Sequence, residues 1–272
     1  MSEAVGAVTQ LGPLAAMQDP KISIVTPTLN QGKFIEQTIL SVLNQTYPNV
    51  EYIIVDGGST DQTVDILEKH KGRFILIQGN DKGQTDAINI GFKAATGHLV
   101  GWLNSDDLLD SNAVELVIER FKRNPNASVY LGIARRIDEY GVVLGVPKQI
   151  PLTFNNVLRG RPSFSQPGSF YPRYLIDRLN YLDISLTMHM DTDLILRLTR
   201  EGEAEFIPQV LASLRQHSSS KTLTRSWDRV KEGLSVRRRY GAPRLVLLLM
   251  LMRYLKTLIG DELRRRGLSY RF

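Results

Sequence analysis

Val50-Glu51-Tyr52-Ile53-Ile54-Val55-Asp56-Gly57-Gly58-Ser59-Thr60-Asp61 runs a β-rich apolar stretch into a carboxylate, two glycines and a polar turn. Residues 50–55 read as a strand buried on both faces, because the run is short and nearly continuous rather than alternating. Residues 56–59 form a turn. Residues 60–70 then carry Val64, Ile66 and Leu67 at helical spacing. The same strand–turn–helix unit recurs on either side. Residues 22–26 make a first strand before Pro27, and residues 33–45 a helix with Phe34, Ile35, Ile39, Val42 and Leu43 on its buried side. Residues 73–77, 85–95, 98–103 and 111–123 read as strand, helix, strand and helix. This alternation predicts an α/β fold with a mostly parallel sheet flanked by helices. Such sheets bind ligands outside the carboxyl ends of their strands. The turns beginning at Asp56 and Asn104 lie at that edge.

The second half is less regular. Residues 129–137 and 141–146 are expected to pair about a turn at Asp138 and Gly141. Residues 151–168 hold three prolines and read as a loop. Residues 191–200 are a helix, and residues 204–214 an extended run broken by Pro208. A Leu-rich, basic helical tail follows. Residues 1–20, rich in small and polar side chains, form a mobile lead-in. The expected division is 1–20, a main domain over 21–220, and the tail over 221–272.

Composition narrows the chemistry. The 272 residues are enough for one large α/β domain. With no cysteine, disulfides and thiolate metal sites are excluded, and any metal must use carboxylate, amide or imidazole ligands. No basic start and apolar core marks a secretory signal in the lead-in. The longest apolar run, residues 245–252, is far short of the roughly 20 residues a spanning helix needs. From Arg225 onward, 13 Lys and Arg face 4 Asp and Glu, so the basic excess sits in the tail and the rest is slightly acidic. Nucleic acid and an anionic membrane both suit such a tail. The interleaved Leu and Met favour the membrane, and no nucleic-acid partner is expected. Packing of the tail helix on the body is the ordinary alternative.

Four places carry chemistry. Asp56 ends a buried strand, where a carboxylate can accept hydrogen bonds from a polar ligand, and the glycines admit a flat group to the backbone. Its ordinary alternative is an Asp bonding its own turn. Asn104-Ser105-Asp106-Asp107 gathers hard oxygen ligands suited to Mg2+ or Mn2+ and substrate phosphates; the alternative is a loop leading to a helix cap at Asp110 or Ser111. Asp191 and Asp193 open a helix, with Arg197 spaced for an ordinary i,i+4 pair to Asp193 and Asp191 as a plain N-cap. His217 lies among Arg215, three serines and Lys221, neighbours able to meet phosphate.

Five motifs, in order, resemble glycosyltransferase family 2. They are Ser23-Ile24-Val25-Thr26-Pro27-Thr28-Leu29-Asn30, Ile39-Leu40-Ser41-Val42-Leu43-Asn44-Gln45-Thr46-Tyr47, Ile54-Val55-Asp56-Gly57-Gly58-Ser59-Thr60-Asp61, Asp86-Ala87-Ile88-Asn89-Ile90-Gly91 and Leu103-Asn104-Ser105-Asp106-Asp107. Looser matches follow at Gln166-Pro167-Gly168, Met190-Asp191-Thr192-Asp193-Leu194 and Arg215-Gln216-His217. The resemblance implies a GT-A fold, with a Rossmann-like nucleotide-binding half and a C-terminal helical extension. It implies an inverting transfer from a nucleotide-sugar donor, usually UDP-linked, to a saccharide or lipid-linked acceptor. It assigns Pro27 to the base pocket, Asp56 to the base, Asn104 and Asp106 to the Asp-x-Asp positions, and Lys82 or Asp86 to further donor contact. Asp106 and His217 fall where family members hold Mg2+ or Mn2+ on the diphosphate, and Asp191 where they place the catalytic base. Two departures stand out: Asn104 replaces the first acid of Asp-x-Asp, and Met190 stands where many members have Glu. The implied location is cytoplasmic, with peripheral attachment to the inner membrane face as the role for the tail. A nucleotidyltransferase is the first rival, but the loop after the first strand has one Gly and no Arg. The second is a sugar-nucleotide binder without turnover, prompted by Asn104.

Overall fold

The computed structural model describes residues 19–79, 81–161, 164–217, 220 and 227–265, the last ten as backbone only. The lead-in up to residue 18, Lys221 and Arg266 lie outside the described residues. The first half alternates as its patterning dictates: β1 (Ile22–Thr28), α1 (Ile35–Leu43), β2 (Val50–Asp56), α2 (Thr63–Lys69), β3 (Ile75–Gln78), α3 (Gln84–Ala94) and β4 (Leu99–Trp102). Then come β5 (Leu108–Leu109), α4 (Ala113–Arg123), β6 (Val129–Ile137), β7 (Val143–Gly145), α5 (Phe154–Leu158), β8 (Ser169–Pro172) and α6 (Arg173–Arg178). The chain continues through α7 (Met190–Glu201), β9 (Ala204–Arg215), α8 (Trp227–Arg239) and α9 (Arg244–Arg265).

One sheet runs in the order β3-β2-β1-β4-β8-β6-β9-β5, with β7 paired to β6. Pairing is parallel through β3, β2, β1 and β4. Beyond β4 it mixes: β8 is antiparallel to β4 and β6, β9 is parallel to β6, and β5 is antiparallel to β9. Side chains of a strand alternate between faces. Accordingly Ile22, Ile24, Tyr52 and Ile54 pack with α1, α2 and α4, whereas Val25, Ile53 and Val55 pack with α3, α6 and α7. Two helical layers thus cover the central strands, which is why those strands read as continuous apolar runs.

Two local readings are corrected. Residues 151–168 are not all loop. Thr153 Oγ1 accepts the N–H of Asn156 at 3.2 Å and starts α5, and Gln166–Gly168 makes a 3-10 turn. Pro208 does not break the run at residues 204–214. Strand β9 continues through it, and the register with β6 slips between Gly132 and Ala134, so a bulge absorbs the missing N–H. The expected pairing of residues 129–137 with residues 141–146 is present as β6–β7, with Arg136 opposite Gly145 and Ile137 opposite Val143.

Two registers position the functional residues. Thr28 stands opposite Asp56 at the carboxyl edge of β1 and β2. Leu108 stands opposite Ser213 in β5–β9, which carries the 104–107 turn to the end of β9.

Candidate active site

A cleft of about 570 Å³ opens at this edge. It is lined by residues that include Pro27, Thr28, Trp102, Asn104, Asp106, Gln166, Asp191 and His217. Of the residues singled out from sequence, Pro27, Asn104, Asp106, Asp191 and His217 therefore meet in one cavity. Asp56 and Asp86 stand outside its lining.

Asp56, opposite the cleft residue Thr28 in the β1–β2 register, is buried, 1% exposed. Its Oδ1 accepts the Ser59 hydroxyl at 2.6 Å and the Ser59 N–H at 3.2 Å; among the described residues Oδ2 has only a 3.4 Å contact with that N–H. The turn-bonding alternative is thus realised for one carboxylate oxygen. Ser59 Oγ also accepts the N–H of Asn30, whose side chain accepts the N–H of Thr60, so the loops after β1 and β2 are tied together. Gly58 takes a φ of +93° that side chains resist. The group approaching Gly57 is the Asp81 carboxylate: a Cβ at Gly57 would stand 2.6 Å from Asp81 Oδ2. Asp81 lines the cleft with Gly83 and Gln84, whereas Lys82 does not. Asp86 instead accepts the backbone N–H of Lys82 at 3.0 Å and shapes the same loop. The hydroxyl of Thr28 is buried and has no hydrogen-bond partner among the described residues.

The 104–107 turn is built by long-range bonds. The Asn104 amide accepts from Gln84 at 2.8 Å and donates to Asp107 and Gln166, each at 3.2 Å. Asp107 is buried behind it and accepts the Arg215 N–H at 2.9 Å. Burial, then the charge of Asp106, pushes the Asp107 carboxyl well above its usual range. The Arg215 guanidinium donates to the Asp106 carbonyl at 2.8 Å and to Gln37 Oε1 at 2.7 Å, and lies over the Phe34 ring. Neither Asp110 nor Ser111 caps α4: the cap position is Asn112, without a side-chain bond, and Asp110 pairs with Arg135 at 2.7 Å.

His217 follows Arg215 off β9. Its Nε2 stands 3.0 Å from Asp106 Oδ2, and its ring centroid 4.6 Å from that of Phe34. Among the described residues no three His, Cys, Asp or Glu side chains gather to hold a metal. The Asp106–His217 pair supplies one hard oxygen and one imidazole nitrogen. The oxygen suits Mg2+ or Mn2+, which take few protein ligands and complete their shells with water and substrate phosphate, and of the two Mn2+ is the one that accepts an imidazole nitrogen readily.

Asp191 sits in the first turn of α7, behind the cap residue His189. Its Oδ1 accepts the Thr192 N–H at 2.6 Å. Asp193 is buried and structural: Arg197 donates to it at 3.0 Å and the Tyr240 hydroxyl at 2.8 Å. Of the tail, α8 buries Val230, Val236 and Arg237, the last donating to the carbonyls of Gly233 and Val157. Arg239 pairs with Asp183 at 2.6 Å, while Arg238 is exposed. No described helix is long and apolar enough to cross a membrane.

Comparison with known proteins agrees with this architecture. Residues 23–178 match the model for glycosyl transferase family 2. Chondroitin synthase of Escherichia coli is 28% identical over 209 residues, or 75% of this chain and 30% of that protein. Poly(ribitol-phosphate) beta-N-acetylglucosaminyltransferase TarP of Staphylococcus aureus (strain N315) is 36% identical over 139 residues, 48% of this chain and 40% of its own length. The chain therefore spans less than half the length of these relatives. Among solved structures, S. aureus TarS 1-349 in complex with UDP-GlcNAc has a TM-score of 0.69 at 19% identity, over 87% of this chain and 73% of that one. The mannosyltransferase PcManGT from Pyrobaculum calidifontis, in complex with GDP-Man and Mn2+, has a TM-score of 0.61 at 19% identity, over 88% and 70%. These likenesses establish the GT-A fold. With the matched span running from β1 to the end of α6, over more than half of the chain, the protein belongs to glycosyl transferase family 2.

Proposed function

We propose that this chain is an inverting glycosyltransferase that moves a sugar from a UDP-sugar to a saccharide or lipid-linked acceptor in cell-surface polysaccharide assembly. The observation that carries the reading is the convergence of the Asp106–His217 pair and Asp191 in one cleft. The TarS complex with UDP-GlcNAc and the names of TarP and chondroitin synthase support the donor and product class.

The donor base lies against Pro27 and Thr28. A buried hydroxyl without a partner costs about 1–3 kcal/mol, and bonding the nucleoside removes that cost at Thr28 Oγ1. Asp56 Oδ2 accepts from the base, while Oδ1 stays tied to Ser59. Asp81, Gly83 and Gln84 close over the nucleotide, and Asp86 keeps their loop in shape. Asn104 bonds a donor hydroxyl without adding charge. Asp106 and His217 would hold Mg2+ or Mn2+, and the cation would supply neutralisation of the charge on the leaving diphosphate. Asp191 takes the proton of the acceptor hydroxyl as that oxygen forms its bond to the anomeric carbon. The bond from that carbon to the diphosphate oxygen breaks, the nucleoside diphosphate leaves, and an α-linked donor yields a β-glycoside. Thr192 fixes Asp191 Oδ1, so the other oxygen faces this task.

The test is hydrolysis of a nucleotide-sugar panel with Mn2+. Turnover of UDP-sugars is expected. Tight UDP binding with no turnover of any donor would favour the non-catalytic binder.

We further propose a peripheral seat on an anionic inner membrane surface. Leu245, Leu248, Leu249 and Met252 recur at i, i+3, i+4 and i+7 of α9 and are exposed, while Met250 is buried beside Gly160. An apolar stripe in a strongly basic segment suits insertion at a lipid interface. Flotation with anionic vesicles should fail once residues after Tyr240 are removed; unchanged flotation excludes this role.

A further inference from the structure

The segment that delivers Asp191 to the cleft is not secured by its own helix. The cap residue of α7, His189, makes no side-chain cap bond. The backbone N–H groups of residues 187–189, just ahead of α7, cannot bond within the helix and need outside partners, and they find one on α8. Glu232 accepts the N–H groups of Thr187 at 3.1 Å, Met188 at 2.8 Å and His189 at 2.7 Å, and the Thr187 hydroxyl at 3.1 Å. Thr187, Met188, Met190 and Asp191 all line the cleft. The carboxylate also sits at the positive end of α7.

The neighbouring contacts make this anchor specific. The His189 ring is buried between the two helices, its Nε2 3.2 Å from the Arg229 carbonyl and its Nδ1 3.4 Å from Thr192 Oγ1. A Cβ at Gly233 would stand 2.6 Å from His189 Nε2, so the glycine lets the ring lie directly on α8. Thr192 is the residue that bonds Asp191 Oδ1. A continuous chain of contacts therefore runs from α8 through His189 and Thr192 to Asp191.

We propose that Glu232 is a positioning residue for glycosyl transfer: it clamps residues 187–189 from α8 and so fixes the angle at which Asp191 enters the cleft. The proposal rests on Asp191 being the base. It makes α8, which sequence places in the basic tail, a working part of the site.

The test uses the full chain, UDP-GlcNAc with Mn2+, and three variants. Glu232→Gln keeps the shape but removes the charge and one acceptor: its NH2 must stand where an oxygen now accepts either from Thr187 or from Met188 and His189. Arg239→Ala removes a different α8 contact, the pair with Asp183, and leaves the clamp intact. Glu232→Gln is expected to lower kcat on the order of 100-fold, the effect of ~1 Å misplacement, with donor KM within about twofold. Amide hydrogen exchange at residues 187–193 should accelerate without substrate. Glu232→Asp, which keeps the charge, should restore part of both. Arg239→Ala should change neither. Unaltered exchange at 187–193 in Glu232→Gln, or an equal kcat loss in Arg239→Ala, overturns the proposal. The exchange contrast needs no turnover, so it decides the clamp even if UDP-GlcNAc is refused. If Asp191 is not the base, Asp191→Asn keeps its turnover while that contrast still stands.

Discussion

His217 Nε2 stands 3.0 Å from Asp106 Oδ2, although 111 residues separate them. The β5–β9 register brings the two segments together, and the Phe34 ring backs the imidazole. On the proposed reading both side chains hold the cation that binds the diphosphate. His217→Ala should weaken Mn2+-dependent UDP binding by at least about 10-fold, the lower end of losses for a disturbed metal shell. Asp106→Ala should abolish the Mn2+ dependence. Calorimetric titration with and without Mn2+ checks both, and unchanged affinity in either variant removes its metal role.

Arg215 holds the Asp106–Asp107 turn in place. Its guanidinium reaches Asp106, Glu139 and Gln37 in three directions while lying over Phe34. A lysine ammonium keeps the charge but cannot span that fork. Arg215→Lys should therefore lose about 2–4 kcal/mol of unfolding free energy, since bonds to charged groups contribute roughly 1.5–3 kcal/mol each. Denaturant titration measures it. A loss under about 0.5 kcal/mol, the scale of an ordinary surface substitution, would mean the turn forms without the fork.

Asp56 is proposed to bind the base, remote from the reacting carbon. Asp56→Ala should raise donor KM by about 10-fold or more while leaving kcat nearly unchanged, the pattern of lost uniform binding. Steady-state kinetics separates the two constants. A fall in kcat at constant KM would place Asp56 in the chemistry instead.

Glu232 gives a pH signature. Burial opposes its charge, but the N–H groups of Met188, Thr187 and His189 outweigh burial and hold the carboxyl below its usual value near 4.5. The unfolded chain therefore takes up this proton first as pH falls. The stabilisation is complete above the unfolded value and is lost as pH falls through the folded one. The stability gap between wild type and Glu232→Gln should be widest from about pH 7 to about pH 5.5 and shrink below about 4.5. Denaturant unfolding across that range checks it; a gap that widens in acid contradicts the assignment.

The parallel half was legible because its signals are local. The run ending at Val55 and the spacing of Ile35, Ile39 and Val42 each fix an element within a few residues. The strand at Ser169–Pro172 escaped notice because four residues inside a proline-rich stretch carry no period, although all four are buried between β4 and β6. The site divides likewise. Asp106 and Asp191 lie in recognisable motifs, but His217 reaches Asp106, and Glu232 the segment before Asp191, only by folding across the chain. Asp81 precedes Lys82, to which the family resemblance pointed, and its place in the cleft appears only when it folds over Gly57. Glu232 left no mark at all: its partners, the Thr187 hydroxyl apart, are backbone N–H groups, which every sequence possesses, and its surroundings read as a basic tail.

The most direct test of the central claim is single-turnover transfer or hydrolysis by Asp191→Asn, with donor binding measured in parallel. The amide keeps the shape and the bond from Thr192 but cannot accept the proton. Turnover should fall by on the order of 10²–10⁴, the usual contribution of a positioned base, with UDP-sugar affinity retained. Wild-type turnover in Asp191→Asn would contradict the account.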